Sequence, residues 1–208
     1  MSDEEQIEAL QKWWKENSSS VIAGVAIGLS LLFGSQAWFG HQDTQKANAS
    51  NVYSQMMNSL ESNEIAPVKV FADELISNHS DGAYGSLAAM VLAKLAVQDA
   101  DSESAIAHLQ WAVEHAGLDE LKYIAQLRLV RVMIDAGKTE EAQQLLGQTD
   151  APASYQYLYA ELEGDLAVAS GSTGAAAFYK MALDKMPEGA PNAALLTIKH
   201  ENVASSGQ

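Results

Sequence analysis

One apolar stretch, from Val21 to Phe39, constrains the fold of this 208-residue chain more than any other feature. Its 19 residues include no Lys, Arg, Asp, Glu or Pro, and its polar members are Ser30, Ser35 and Gln36. As an α-helix it would be about 28 Å long, which is close to the thickness of the hydrocarbon core of a bilayer. Tryptophans flank it, and indole rings favour the boundary between hydrocarbon and headgroups. We therefore predict one transmembrane helix over residues 21–39.

Two other interpretations of this stretch fit the sequence less well. A buried helix of a soluble domain is usually shorter and carries polar residues along one face. A cleaved signal peptide has a basic start and a cleavage site of small residues. Here the preceding tail is acidic, and the stretch ends in the bulky pair Trp38 and Phe39. An uncleaved membrane anchor is the interpretation that both observations favour.

Residues 1–20 are predicted to be a cytoplasmic acidic tail. Ser2 and Glu5 have the spacing of a helix capping box, and Ile7, Leu10 and Trp14 lie on one helical face. This pattern predicts a short amphipathic helix on the membrane surface, although a frayed acidic tail fits a segment of this length equally well.

The orientation follows from the lysines next to the span. Lys12 and Lys15 precede it closely, whereas only Lys46 follows it within a dozen residues. Positive charges are enriched in cytoplasmic loops, so the N-terminus is expected in the cytoplasm and residues 40–208 on the other side.

Charge and cysteine content exclude several classes of protein. The net charge is −15, and the residues after position 40 carry ten Lys and Arg against 22 Asp and Glu. Such a domain repels nucleic acid and other polyanions, so no nucleic-acid partner is expected. The chain has no cysteine, which excludes a disulfide framework and thiolate chemistry.

After the span, the sequence predicts helices and no strands, since no alternating Val- or Ile-rich run occurs. Residues at helical spacing from Ala49 to Leu60 predict a helix that continues from the membrane through Gly40. The apolar spacing from Val68 to Ile76 predicts a second helix, which the turn-forming residues 78–82 terminate.

An alanine repeat follows. Ala105, Ala142 and Ala175 stand 37 and 33 residues apart, each with a second apolar residue one turn later. This period is close to the ~34 residues of the tetratricopeptide repeat (TPR), in which small residues let paired helices approach closely. Leu92-Ala93 and Leu129-Val130 stand where the first helix of each repeat needs a large residue and then a smaller one. Chance periodicity in an alanine-rich chain is the alternative.

Some positions depart from the pattern. Thr149 stands where an alanine is expected, and the segment Gly164–Ala175 is one residue short. Pro187 ends the last repeat, and the residues from Asn192 onward predict a terminal helix that caps the stack. We predict an all-α fold, in which a single N-terminal transmembrane helix precedes a TPR-like α-solenoid over residues 40–204 and a disordered tail over residues 205–208.

No catalytic or cofactor-binding pattern is present in the sequence. The five histidines are dispersed, and His108 and His115 are seven residues apart, which is too far for a shared metal on one helix. The turn Gly171–Gly174 lacks the Lys-Ser/Thr that would follow a phosphate-binding loop. We therefore expect no enzyme activity, no cofactor and no metal.

Two candidate interaction surfaces remain. Within the span, small residues form stripes that would allow a partner helix to approach closely: Gly24, Gly28, Ala26, Ser30 and Gly34. In the repeat domain, the first helices carry side chains suited to a partner groove: Tyr84, Tyr123, Tyr155, Tyr157, Arg128 and Arg131.

Both parts of the groove have a simpler interpretation. Tyr155, Tyr159, Leu162 and Leu166 share one helical face, which favours burial in the core over exposure in a groove. The two arginines either form ion pairs with acidic neighbours or bind a carboxylate of a partner. The sequence leaves these alternatives open.

Several motifs of this chain occur together: the acidic tail with paired tryptophans, the Gly/Ala-rich span, the motifs Ala83–Ala88 and Leu127–Val132, and the region around Ile198-Lys199. Together they resemble the YfgM family of ancillary SecYEG translocon subunits. The resemblance extends over nearly the whole chain.

The resemblance implies an inner-membrane protein with a cytoplasmic N-terminus and a periplasmic TPR-like domain. It also implies association with SecYEG and with the membrane-anchored chaperone PpiD, and assistance to newly translocated or unfolded proteins. A cytoplasmic stress-response regulator is a further implied partner of the tail. A scaffold that self-associates through Gly24 and Gly28 to organise an envelope complex, without client binding, is the alternative function.

Overall fold

A computed structural model describes the backbone of residues 3–80 and 82–206. Within these ranges it describes all side chains except those of residues 3–5, 9, 10, 34, 35, 37, 39–43 and 206. The described backbone contains nine α-helices and no strand, so the predicted all-α class is confirmed. The helices are α1 Asp3–Glu61, α2 Ile65–Asn78, α3 Ala83–Gln98, α4 Ser102–Glu114, α5 Asp119–Asp135, α6 Thr139–Gly147, α7 Gln156–Ala169, α8 Ala175–Lys185 and α9 Ala193–Ser206.

The chain divides into two compact units, Met1–Asn48 and Ala49–Gln208. In the first unit, α1 contains a segment, Gln6–Phe33, that is long and apolar enough to cross a membrane, and none of its most apolar window is buried. Its large apolar side chains are exposed along the helix: Ile22, Val25, Ile27, Leu29, Leu31, Leu32 and Phe33. Such a surface is suited to lipid rather than to water.

The predicted amphipathic helix and the predicted span belong to one element, since α1 runs from Asp3 without interruption. No Pro or Gly lies between Glu16 and Val21, so nothing in the sequence forces a break there. Ser2 of the predicted capping box lies outside the described residues.

The second unit is built from helix pairs that pack in sequence order. Consecutive helices from α2 to α9 contact each other, α3 also contacts α5, and α5 contacts α7. Contacts between alternate helices are the signature of stacked pairs, in which one helix of each pair lies beside its counterpart in the next. We call α3, α5 and α7 the first helices, and α4, α6 and α8 the second helices.

The alanines that recur along the sequence lie where the paired helices pack against each other. Ala105, Ala142 and Ala175 lie on the three second helices and are at most 1% exposed. The absence of a larger side chain there lets the paired backbones approach closely, and the residue one turn later fills the remaining space. These later residues, Leu109, Leu146 and Tyr179, are all buried.

The departure at Thr149 has a local cause. Helix α6 ends at Gly147, so Thr149 lies beyond the helix and not on its packed face. Its hydroxyl donates to the carbonyl oxygen of Leu145 at 2.8 Å and so satisfies one of the carbonyl groups left free at the helix end.

Helix α9 covers the end of the stack, as the sequence predicts. Leu196 is fully buried and Val203 is buried beside it, in a cluster with Ala160, Ala167 and Ala182 of α7 and α8. The helix extends to Ser206, two residues into the predicted tail 205–208, and residues 207 and 208 lie outside the described residues.

Candidate partner-binding surface

Two predicted groove tyrosines lie together, one on α5 and one directly before α7. The rings of Tyr123 on α5 and Tyr155, which precedes α7 and is not part of that helix, lie 5.3 Å apart, tilted by 33°. Both are partly buried against the central core. Tyr159 lies deeper, and its hydroxyl donates to Oε1 of Gln126 at 3.0 Å. Burial, with smaller contributions from Tyr123 and Tyr155, raises the pKa of Tyr159, so it stays a neutral donor.

Tyr84 belongs to a different pair. Its ring lies 5.2 Å from that of Tyr53, which is on the part of α1 within the second unit. Tyr157 is partly buried on α7, and no ring contact of it is found among the described residues. The predicted set of tyrosines is therefore distributed along the stack and does not form one cluster.

The two predicted arginines are exposed on α5. Arg128 donates from Nη1 to the sulfur of Met90 on α3, at 3.7 Å, and a thioether is a weak acceptor. No carboxylate among the described residues lies within 4.0 Å of either arginine. Of the two alternatives that the sequence left open, ion pairing with acidic neighbours is therefore not found in the described part of the chain.

Two histidines lie on or next to α4. His108 of α4 lines a cavity of about 200 Å³ with Asp73 and Asp101; burial lowers its pKa, and the two carboxylates oppose this. His115 directly follows α4 and stacks on Trp111 with ring centroids 4.2 Å apart. Among the described residues there is no group of three or more His, Asp or Glu side chains that could hold a metal ion.

The small residues of α1 present an open face in the first unit. A Cβ atom added at Gly24 or Gly28 would meet nothing within 4 Å. The Ser30 hydroxyl donates to the carbonyl oxygen of Ala26 at 2.8 Å, so it is satisfied within its own helix. Gly34 is part of the same helix, and its surroundings lie outside the described residues.

One polar network was not anticipated from the sequence. Nζ of Lys199 on α9 lies 2.8 Å from Oε1 of Glu161 and 2.8 Å from Oδ1 of Asp165, both on α7. Asp165 also accepts from the hydroxyl of Tyr179, and Glu161 accepts from the amide of Asn192, each at 2.8 Å. The network ties the terminal helix to the last repeat, and no short-range motif connects residues that are 34 and 38 positions apart.

Lys94 of α3 is a surface residue that the sequence analysis overlooked. It precedes Arg131 by 37 residues, the same interval that separates Ala105 from Ala142. Residues one repeat apart occupy equivalent positions on neighbouring first helices. The 37-residue interval could therefore have identified Lys94 as the counterpart of Arg131.

Stacked helix pairs with buried alanines, preceded in the sequence by a segment that is apolar enough to cross a membrane, define a membrane-associated helical repeat protein of the TPR type. The family model described as "Tetratricopeptide repeat-like domain" matches residues 11–205. The chain belongs to the YfgM family, whose curated members are named "Ancillary SecYEG translocon subunit".

Relatives of this name come from three bacteria. The chain is 32% identical to that of Haemophilus influenzae, over 85% of each chain. It is 27% identical to that of Escherichia coli over 82% of this chain and 81% of the relative, and 28% identical to that of Aggregatibacter actinomycetemcomitans over 82% and 83%. No solved structure matches the chain. The family is one of ancillary subunits, which are a non-enzymatic kind of protein.

Proposed function

We propose that this chain is a single-pass inner-membrane protein that binds other proteins at the Sec translocon. The observation that carries the proposal is the combination of one apolar helix with a TPR-like domain in a chain whose relatives are named as SecYEG subunits. A repeat domain presents an extended surface that recognises protein segments. The membrane helix determines where that surface is held.

The binding surface in this proposal is the exposed side of the first helices. Its residues are those predicted from the sequence: Tyr84, Tyr123, Tyr155, Tyr157, Arg128 and Arg131. Partly buried tyrosines supply contact area at a small cost in conformational entropy. Confinement beside the translocon raises the effective concentration of emerging chains, so weak contacts suffice for binding.

The partners follow from this location. The membrane-embedded partner is SecYEG, and a PpiD-type chaperone acts beside it. Newly translocated, still unfolded proteins are the clients, which the domain holds or passes on. The acidic tail on the cytoplasmic side is available to a stress-response regulator.

Co-purification tests the translocon association. After mild detergent extraction, the tagged full-length chain should enrich SecYEG and the PpiD-type chaperone over an unrelated single-span membrane protein with the same tag. Equal recovery with both baits would contradict the proposal. The matched control is a chain whose residues 1–48 are kept while the repeat domain is deleted, which separates association through the membrane helix from association through the repeats.

A self-associating scaffold is the second candidate. The observation that favours it is the open face at Gly24 and Gly28, where nothing lies within 4 Å, continued by Ala26, Ser30 and Gly34 along the helix. Close approach of two such helices is favourable in lipid. The variant Gly24→Ile/Gly28→Ile should then abolish cross-linked oligomers and SecYEG recovery together. Persistence of either would rule this candidate out.

Labelling of single cysteines tests the orientation, since the chain has no native cysteine. A cysteine at the exposed Ser205 should react with an impermeant maleimide in intact spheroplasts, because the repeat domain faces outward from the cytoplasm. A cysteine at the exposed Gln6 is the control, and it should react only after the membrane is permeabilised. The reverse pattern would place the repeat domain in the cytoplasm and remove the chaperone function.

A further inference from the structure

We propose that the exposed face of α3 and α5 binds acidic segments of partner proteins through Lys94, Arg128 and Arg131. We call these three residues the cationic face. The proposal rests on the partner-binding function above, and it adds the chemical class of the ligand.

Arg128 and Arg131 are the only two arginines in a chain of net charge −15, and they lie three residues apart on one exposed face of α5. Residues 49–208 contain 21 carboxylates against nine Lys and Arg, so partners for a cation are abundant. Yet neither guanidinium has a described carboxylate within 4.0 Å, and Arg128 has only the Met90 sulfur as an acceptor. Their donors remain available for a ligand.

The repeat register extends this face onto α3. Leu87, Val91 and Lys94 have the same spacing as Ile124, Arg128 and Arg131, and each precedes its counterpart by 37 residues. Helices α3 and α5 contact each other, and Arg128 reaches across to Met90 of α3. Lys94 is exposed and takes part in no ion pair among the described residues.

Two of the second helices, α4 and α6, have the opposite charge. Helices α4 and α6 contain carboxylates and no Lys or Arg: Glu103, Glu114, Glu140 and Glu141. Helix α3 contains no carboxylate at all. An anionic segment is therefore repelled by α4 and α6 and attracted to the cationic face, which favours its approach to α3 and α5.

The ligand chemistry follows from the side chains that are present. A guanidinium presents paired donors that match a carboxylate, and two of them three residues apart suit successive acidic residues of an extended segment. The partly buried Leu87, Val91 and Ile124 lie one or two turns before the cations and offer apolar contacts. A short segment contacts only the cationic face, whereas an anionic bilayer is an extended surface that also meets the surrounding carboxylates of the domain and is therefore disfavoured. The occupant is a protein segment in which acidic and apolar residues alternate.

The experiment measures peptide binding to the full-length protein in detergent by fluorescence anisotropy. One labelled peptide alternates Asp and Glu with Leu and Phe, and its partner carries Asn and Gln in place of the acids. The acidic peptide should bind about tenfold more tightly than the amide peptide, and added salt should weaken this difference. In the variant Arg128→Gln/Arg131→Gln, the affinity for the acidic peptide should fall by about tenfold.

The matched control removes the same charge elsewhere. Lys122→Gln/Lys180→Gln neutralises two exposed lysines, one at the start of α5 and one on α8 paired with Asp184, and should change affinity by less than about twofold. Far-UV circular dichroism of both variants should match the wild type, because all four residues are exposed.

Three outcomes would overturn the proposal. They are equal affinity for the two peptides, equal effects of the arginine and lysine variants, and binding of phosphatidylglycerol vesicles that is lost with the arginines while peptide binding is unaffected. The co-purification above separates the two hypotheses. If the wild type enriches SecYEG but does not discriminate between the peptides, only the ligand class is wrong; if it fails to enrich SecYEG, the proposed function is wrong.

Discussion

Replacement of Gly164 by alanine should lower the free energy of unfolding of the repeat domain by about 3 kcal/mol, at the upper end of what overpacking costs. Gly164 is buried on α7, where an added Cβ would lie only 2.5 Å from Cδ1 of Tyr179. That ring is 3% exposed, and its hydroxyl donates to Oδ1 of Asp165. Because both ends of the tyrosine are held, relief requires α7 and α8 to move apart.

Urea denaturation of the full-length chain, followed by far-UV circular dichroism, measures this effect. Gly147→Ala on α6 is the control; a Cβ there meets nothing within 4 Å, so it should be neutral or stabilise by up to about 1 kcal/mol. The double variant Gly164→Ala/Tyr179→Leu should recover part of the loss, since Leu occupies the equivalent positions 109 and 146. Equal stability of Gly164→Ala and wild type would show that the helices tolerate the extra volume.

Replacement of Lys199 by methionine should detach α9 and cost about 2–3 kcal/mol, somewhat less than the loss of one partner in a fully buried ion pair. The substitution leaves the Glu161 carboxylate, whose side chain is 4% exposed, with only the Asn192 amide as a described donor. The expected loss of stability is smaller than for a fully buried ion pair because the side chains of Asp165 and Lys199 are 19% and 26% exposed. Apolar burial by α9 is modest, with Leu196 and Val203 as its buried hydrophobic residues, so the polar network carries much of the attachment.

Hydrogen exchange of the α9 amides, together with the denaturation midpoint, tests this prediction. In Lys199→Met the amides of residues 193–206 should exchange much faster than those of α5, which keeps its contacts. Lys180→Met is the matched control, because its pair with Asp184 is more than 60% exposed on both sides and is expected to contribute less than about 0.5 kcal/mol. Unchanged exchange in α9 would show that apolar packing alone holds the helix.

The pH dependence of this contact follows from the Lys199 pKa. Burial alone would lower that pKa, but the hydrogen bonds and charges of Asp165 and Glu161 outweigh burial and raise it above its usual value. A cation whose pKa is raised by folding contributes stability that is complete below the unfolded pKa of about 10.4 and is lost as the pH rises through the higher folded value. Attachment of α9 should therefore be constant near neutral pH and weaken only in strong alkali.

The repeat architecture was predictable because it depends on short-range patterns in the sequence. Alanines at the interval of a helix pair, with a larger residue one turn later, identified the second helices, and these alanines are buried. Pro187 and the turn residues 78–82 marked helix ends that the structure places within a few residues, at Lys185 and Asn78. Such signals depend on contacts between residues a few positions apart, which a linear sequence displays directly.

The candidate surface was only partly predictable. The sequence identified Arg128 and Arg131 but left open whether acidic neighbours neutralise them, since a carboxylate in range depends on how helices pack. Lys94 could have been found from the 37-residue register. The tyrosines separated into two pairs, Tyr53 with Tyr84 and Tyr123 with Tyr155, because their helices stand at different positions in the stack.

The sequence by itself determined that this chain has one stretch suited to a membrane, followed by helical repeats, because hydropathy over about 20 residues and helical periodicity are local properties. Only the tertiary structure decided which polar groups are satisfied and which remain available. It brought Lys199 to Glu161 and Asp165, positioned Tyr179 against Gly164, and left the two arginines without a described carboxylate. These ion pairs and steric contacts join residues that lie on different helices or on opposite sides of a turn. Helix packing determines whether they form, because an ion pair or a steric contact depends on distances of a few ångströms.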